Sequence, residues 1–270
     1  MYNELSEPRF SGTFYHRTGQ GFPVFLIHGF GEDSRIWENQ LKLTERYTVY
    51  KPDLPGSGNS QLLDTTRSIE ELATWLLSIL DQEGLDQVIM LGHSMGGYIT
   101  LAFAHLFPER LKAFGLLHST AFADDEAKIE NRRKSIKLIE NDGKEVFLKA
   151  MIPNLYSEQS RKLIPKIIQS HLAMSLNLEP KTLIAYYQAM ILRLDRSETL
   201  LNTNSPVLFV IGEDDQVIPL AQSLKQCHLP AVSKVKLFKG IGHTSMNECP
   251  EELNECLINF CDEVLNIKIA

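Results

Sequence analysis

In Gly92-His93-Ser94-Met95-Gly96-Gly97 a serine lies between small residues, directly after the apolar run Val88-Ile89-Met90-Leu91. Downstream, Tyr98, Leu101, Ala102, Ala104, His105 and Leu106 recur at helical spacing, so the stretch reads as buried strand, abrupt turn, helix. A serine in such a turn is held in a strained backbone conformation, and its glycine neighbours are small because other backbone passes close by. Its hydroxyl stands at a helix N-terminus, where amide N–H groups and the helix dipole favour developing negative charge. The chemistry this suits is nucleophilic attack on an acyl carbon.

Serine is a weak nucleophile at neutral pH. It needs a base within hydrogen-bond reach, and the base needs a carboxylate to fix its tautomer. Of eight histidines, His243 alone sits in a glycine-flanked loop after the last expected strand, where it can reach a strand-end serine. His28 is assigned to its own glycine turn, and His93 is too close in sequence to swing onto its neighbour. His16, His105, His171 and His228 are expected to point elsewhere, while His118, at a strand end, is expected to face the pocket. For the acid, Asp214 and Asp215 both follow the strand Pro206–Ile211. Asp215 is chosen because its spacing from Gly212 and Pro219 puts it in the loop, with Asp214 as the alternative. Acyl transfer also needs two amide donors for the oxyanion. Met95, after the nucleophile, supplies one, and Phe30, in the turn His28-Gly29-Phe30-Gly31, supplies the other.

The elements that must position these groups alternate. Pro23–His28, Thr48–Tyr50, Val88–Leu91, Lys112–Leu117, Pro206–Ile211 and Val235–Phe238 read as strands, after an early strand over residues 10–18. Asp33–Arg46, Ser68–Gln82, the stretch after Ser94 and Pro250–Val264 read as helices. The fold class expected is α/β, a mostly parallel central sheet with helices on both faces. The loop Asp53-Leu54-Pro55-Gly56-Ser57-Gly58-Asn59-Ser60 lacks a phosphate-binding register and is read as a tight structural connection. Between about 124 and 204 the alternation stops, and four helical stretches are expected at 124–141, 144–151, 158–176 and 180–196. A crossover needs only about a dozen residues, so residues 121–204 are assigned to a helical cap inserted into a core of 1–120 and 205–270. Arg132-Arg133-Lys134 is expected on a solvated helix face.

Composition narrows the classes. The 270 residues carry 27 basic and 34 acidic side chains, a formal net charge of −7, which argues against nucleic acid or an anionic membrane as partner. No apolar run approaches the roughly 20 residues of a membrane span, and the segment 1–7 lacks the pattern of a signal peptide. The four cysteines form no Cys-x-x-Cys pair, so free thiols in a reducing cytoplasm are expected, with neither disulfides nor zinc.

With these residues in place, the chain resembles the α/β-hydrolase fold superfamily, in its serine-nucleophile branch with a helical cap. The resemblance rests on His28-Gly29-Phe30-Gly31, Asp53–Ser60, Gly92–Gly97, Gly212-Glu213-Asp214-Asp215 and Gly242-His243, in that order. Ser94 stands where the dehalogenase and epoxide-hydrolase branches carry aspartate, which argues against those chemistries. The resemblance implies a Ser94–Asp215–His243 triad, an acyl-enzyme hydrolysed by water, and no metal or cofactor. The Leu-, Ile-, Met- and Tyr-rich cap suggests an apolar cavity for a small or medium acyl ester, with His118, Tyr186, Tyr187 and Met190 as pocket candidates. Fold does not choose the bond. Carbon–carbon hydrolysis of a dienone-type substrate and a receptor-like protein of low turnover are the alternatives. A vestigial site in an interaction protein fits poorly with five intact motifs.

Overall fold

Strands of Val, Ile, Leu and Phe without polar alternation need cover on both faces. In a computed structural model of the chain, residues 12–63 and 68–266 are described. The expected strand positions Phe10 and Ser11, and the segment 1–7, lie outside the described residues. The strands are β1 (Phe14–Thr18), β2 (Pro23–Ile27), β3 (Thr48–Asp53), β4 (Val88–His93), β5 (Leu111–Leu117), β6 (Val207–Gly212) and β7 (Ser233–Phe238). Among the described residues they form one seven-stranded sheet in the order β1-β3-β2-β4-β5-β6-β7. β1 pairs antiparallel with β3, and every other neighbouring pair is parallel. The strand order reverses between β2 and β4, and in open α/β sheets ligands bind beyond the carboxyl ends of the strands at such a reversal.

Helices α1 (Ile69–Gln82) and α2 (Met95–Leu106) follow β3 and β4. Six more, α3 (Glu126–Asp142), α4 (Lys144–Met151), α5 (Glu158–Leu163), α6 (Pro165–Ser175), α7 (Pro180–Leu192) and α8 (Ser197–Asn202), lie between β5 and β6. The chain then runs through α9 (Leu220–Leu224), α10 (Ser245–Glu248) and α11 (Pro250–Val264). Alternate residues of β2 feed two cores, as a strand's period of two requires. Phe25 and Ile27 join Leu72, Leu76 and Leu80 of α1 and Ile99 and Phe103 of α2. Val24 and Leu26 join Trp37 and the α11 residues Leu253, Leu257 and Phe260. α1 opens on a capping box between Ser68 and Glu71, a device in which the cap residue alone contributes about 1 kcal/mol. Cys256 and Cys261 are buried free thiols on α11, and burial pushes the Cys256 thiol up to about 11.

Three expected helices differ in the structure. Asp33–Arg46 forms two short 3₁₀ turns, Ser34–Trp37 and Leu41–Glu45. The residues between them turn outward from a helical path, with Asn39 Nδ2 donating to the Met246 carbonyl and the Asn39 carbonyl accepting from Asn254. Residues 158–176 divide at Ile164, whose extended φ of −123° is what a following proline imposes, and Pro165 opens α6. Residues 180–196 end at Leu192, because Arg193 turns to extended backbone (ψ 140°) before α8 begins. Arg132 also departs from the solvated face expected for it. It bonds Asp124 at 2.5 Å and lies 5.7 Å over the Tyr187 ring.

The loop after β3 is a structural clamp. Asp53 Oδ1 accepts from the Ser34 N–H at 2.8 Å and Oδ2 from the Asn59 N–H at 2.8 Å. Gly58 sits at φ +51°, and a Cβ there would lie 2.1 Å from Asp53 Oδ2. Gly58→Ala therefore combines left-handed strain with a steric push on the carboxylate that holds the Ser34 turn. It should destabilise the fold by about 1–3 kcal/mol, read as a lowered urea midpoint with an unchanged m-value.

Candidate active site

At the end of β4 the backbone turns at Ser94, with φ 51° and ψ −115°, directly into α2. Such a conformation costs a non-glycine residue about 1–3 kcal/mol. It persists because the Ser94 N–H donates to the Leu117 carbonyl at 2.9 Å and the Ser94 carbonyl accepts from Ser119 Oγ at 2.7 Å. A Cβ on Gly92 would lie 2.2 Å from the Gly96 oxygen, and one on Gly96 would lie 2.3 Å from the Ile27 oxygen. The elbow is thus pressed against the end of β2, beside the turn 28–31.

The structure brings Ser94, His243 and Asp215 into line. Ser94 Oγ lies 2.9 Å from His243 Nε2, and His243 Nδ1 lies 2.8 Å from Asp215 Oδ2. The other Asp215 oxygen accepts from the N–H groups of Val217 (2.8 Å) and Ile218 (2.9 Å). Burial by itself would raise the Asp215 pKa, but His243 and His118 hold it well below the usual carboxylate range. Asp214 is exposed on the other side of the loop. Gly212 and Gly242 let the acid and base loops meet, since a Cβ on Gly212 would lie 2.0 Å from the Gly242 oxygen. An imidazole so placed can take a proton from a serine hydroxyl and return it.

His118 is buried beside Asp215, with Nδ1 3.4 Å from Asp215 Oδ2 and Nε2 2.8 Å from Ser245 Oγ. Burial lowers its pKa, which keeps the ring neutral. The metal-ligating atoms of His118, Asp215 and His243 lie within 4.8 Å of one another. An ion about 2.1 Å from each would have to break the 2.8 Å bond between His243 and Asp215.

His93 faces away from the serine hydroxyl. Its Nδ1 lies 2.9 Å from Glu32 Oε2, and its Nε2 lies 2.9 Å from the main-chain oxygen of His243. Glu32 Oε2 also accepts from the Gly29 N–H at 2.7 Å. Burial raises the Glu32 pKa, yet the adjacent His93 charge and hydrogen bond outweigh it and bring the carboxyl to about 2. His171, expected to point elsewhere, comes down from α6 to within 3.8 Å of Glu32 Oε1. The loop bearing His243 is held from a second side by Glu248, whose carboxylate accepts from the N–H groups of Gly242, Thr244 and Ser157.

Phe30 is half-buried, and its ring meets Tyr187 at 4.3 Å between centroids. Met151 reaches over the same turn, 3.3 Å from where a Cβ on Gly31 would stand. Tyr186 is buried on α7. Its hydroxyl bonds Ser57 Oγ at 2.9 Å and the Pro55 carbonyl at 3.0 Å, tying α7 to the loop after β3. Met190 is buried in the apolar cluster that α7 shares with the core. Sequence reasoning missed Glu32, Glu248 and His171. An acid directly after a glycine turn was the signal available for Glu32, whereas the others are recognisable only from their partners.

Comparison with known proteins agrees with this architecture. Residues 23–141 match the family described as alpha/beta hydrolase fold. The chain is 27% identical over 262 residues to a protein of Azorhizobium caulinodans named for carbamate hydrolysis, RutD, covering 93% of this chain and 95% of that one. It is 27% identical over 254 residues to the 2-hydroxy-6-oxo-2,4-heptadienoate hydrolase of Pseudomonas putida, covering 86% of each. A malate-bound thermophilic esterase from Thermogutta terrifontis superposes with a TM-score of 0.89 at 28% identity, covering 93% of both chains. The chain has the α/β-hydrolase fold. Among the described residues, no helix is long and apolar enough to cross a membrane.

The Glu32 carboxyl has a consequence for acid stability. Its folded pKa of about 2 lies below the ordinary 4.5, so its contribution is complete above pH 4.5 and is lost as pH falls toward 2. Glu32→Gln should therefore lose stability at pH 6 and show a shallower decline between pH 4.5 and 2.5. Urea unfolding at both ends of that range measures the difference, and equal slopes in the two proteins would contradict it.

Proposed function

We propose that this chain is a serine hydrolase that cleaves a small or medium apolar acyl ester through an acyl-enzyme. The observation that carries this reading is the continuous line from Ser94 Oγ through His243 to Asp215, with contacts of 2.9 and 2.8 Å. Ser94 Oγ attacks the acyl carbon as His243 Nε2 takes its proton. Asp215, ionised and fixed by two backbone N–H groups, holds Nδ1–H and stabilises the imidazolium. The oxyanion is received by the N–H groups of Met95 and Phe30. Met95 opens α2, so its N–H has no carbonyl a turn back, and in the turn the Gly29 N–H is already committed to Glu32, with Phe30 the next residue along. His243 then protonates the leaving alkoxide. Water, deprotonated by the same ring, attacks the acyl-enzyme and releases the acid and free Ser94. No step calls for a metal or cofactor.

The apolar acyl side is supported by Phe30, Tyr187, Phe147 and Met151, which gather over the glycine turn. The same contacts support the reading of residues 121–204 as a cap, since these last three side chains come from the helices between β5 and β6. A second reading, carbon–carbon hydrolysis, is favoured by the likeness to the 2-hydroxy-6-oxo-2,4-heptadienoate hydrolase.

Ser94→Ala should reduce kcat on p-nitrophenyl esters by roughly 10⁴-fold or more while the circular-dichroism spectrum stays unchanged. Retained turnover in that variant would rule out Ser94 as the nucleophile. Esters of graded chain length assayed beside a 2-hydroxy-6-oxo-dienoate choose between the two bonds. Faster cleavage of the dienoate would move the assignment to carbon–carbon hydrolysis.

A further inference from the structure

We propose that Glu32 is a positioning residue of this site, acting as an ionised pair with His93 that sets the catalytic histidine's loop against the oxyanion turn. The proposal rests on the reading of Ser94 and His243 as nucleophile and base. Its evidence is a chain of buried hydrogen bonds that links the glycine turn, the elbow and the His243 loop. The His243 carbonyl can only accept, so His93 Nε2, 2.9 Å away, carries a proton. On the other side, one oxygen of the Glu32 carboxyl meets both the glycine turn and the His93 ring. The Gly29 N–H lies 2.7 Å and His93 Nδ1 2.9 Å from Oε2.

A third contact comes from the helices between β5 and β6. Asn247 Nδ2 donates to the Tyr156 hydroxyl at 2.8 Å, and that hydroxyl lies 2.8 Å from His171 Nδ1. His171 Nε2 in turn faces Glu32 Oε1 across 3.8 Å, too long for a hydrogen bond. In the proposed pair Glu32 is the carboxylate, accepting from the Gly29 N–H, and His93 is the imidazolium, donating from Nδ1 to Glu32 and from Nε2 to the His243 carbonyl. Both side chains are about 1% exposed, so neither charge is satisfied by solvent.

One carboxylate thus joins three separate segments. Through Gly29 it holds the turn that presents Phe30. Through His93 it holds the elbow that presents Ser94, and through the far side of that ring it holds the main chain of His243. The His243 N–H is bonded in turn to the Leu155 carbonyl at 2.7 Å, so the loop is gripped at both its N–H and its carbonyl. An uncharged amide cannot replace the pair. A glutamine whose oxygen accepts from Gly29 and from His93 Nδ1 leaves a neutral His93 with a lone pair toward the His243 carbonyl.

The test is a double-mutant cycle of Glu32→Gln and His93→Gln on the full chain, assayed with a p-nitrophenyl ester and a fluorophosphonate probe. Each single variant should lower kcat and the labelling rate constant about 100-fold, as expected for a reacting group displaced by about 1 Å. KM should stay within about threefold. The double variant should fall no further than about threefold below the slower single, because both changes remove one unit. In the wild type, NMR of ¹⁵N-histidine protein should show both ring N–H protons of His93 at neutral pH, and Glu32→Gln should lose one. Wild-type rates in Glu32→Gln, a loss confined to KM, losses that multiply in the double variant, or a neutral wild-type His93 would each overturn the proposal. If Glu32→Gln does not fold, His93→Gln and the wild-type His93 signals decide by the same criteria. Failure of the wild type to turn over esters or to label would count instead against the serine-hydrolase reading, while the His93 signals would still test the pair.

Discussion

The site depends on backbone meeting backbone with no side chain between. Gly96 lies against the Ile27 carbonyl, and Gly92 against the Gly96 carbonyl, at separations that exclude a Cβ. This contact sets the serine's elbow directly against the strand that leads into the glycine turn 28–31, so their spacing does not depend on a rotamer. A second such contact, Gly212 against the Gly242 carbonyl, sets the acid's loop against the base's loop. The strain at Ser94 is the cost of the first contact. It is offset by the burial of β4, whose six residues are all buried, at roughly 1.5–3 kcal/mol for each fully buried large apolar side chain.

Much of this was legible in the sequence because it is written in short-range patterns. The continuous apolar runs of β2, β4 and β6 require cover on both faces, and the helical stripe of Ser68–Gln82 supplies part of it. Ser94, Asp215 and His243 were recognisable because each follows a strand in a glycine-bearing loop. Helix ends were less legible where tertiary partners outweighed periodicity. Asn39 and Asn254 divert the segment after β2 into 3₁₀ turns, while at Ile164 the following proline was a visible signal that a run of apolar residues obscured.

The roles of His118, His171 and Tyr186 could not be read from sequence for a different reason. A polar side chain on an apolar helix face looks the same whether it lines a cavity or bonds a distant loop. Tyr186 bonds Pro55 and Ser57, more than a hundred positions away, and His118 bonds Ser245. Arg132 is the same lesson in charge. Its neighbours Arg133 and Lys134 are exposed, yet Asp124 and the Tyr187 ring draw Arg132 inward.

These long-range bonds change how the helices between β5 and β6 should be regarded. They do not simply cover a site completed elsewhere. Leu155 bonds the His243 N–H, Ser157 shares Glu248 with the loop that carries His243, and His171 faces Glu32. A buried ion pair such as Glu32–His93 contributes little net stability over a well-packed apolar pair, because desolvation of both charges offsets most of their attraction. Removing one partner is nonetheless costly, because the other is left buried and unpaired. An apolar pair of similar volume could fill the same space but could not bond the Gly29 N–H on one side and the His243 carbonyl on the other. The use of charge here is registry. It fixes which parts of the turn, the elbow and the loop meet, and apolar packing, being non-directional, leaves that choice open.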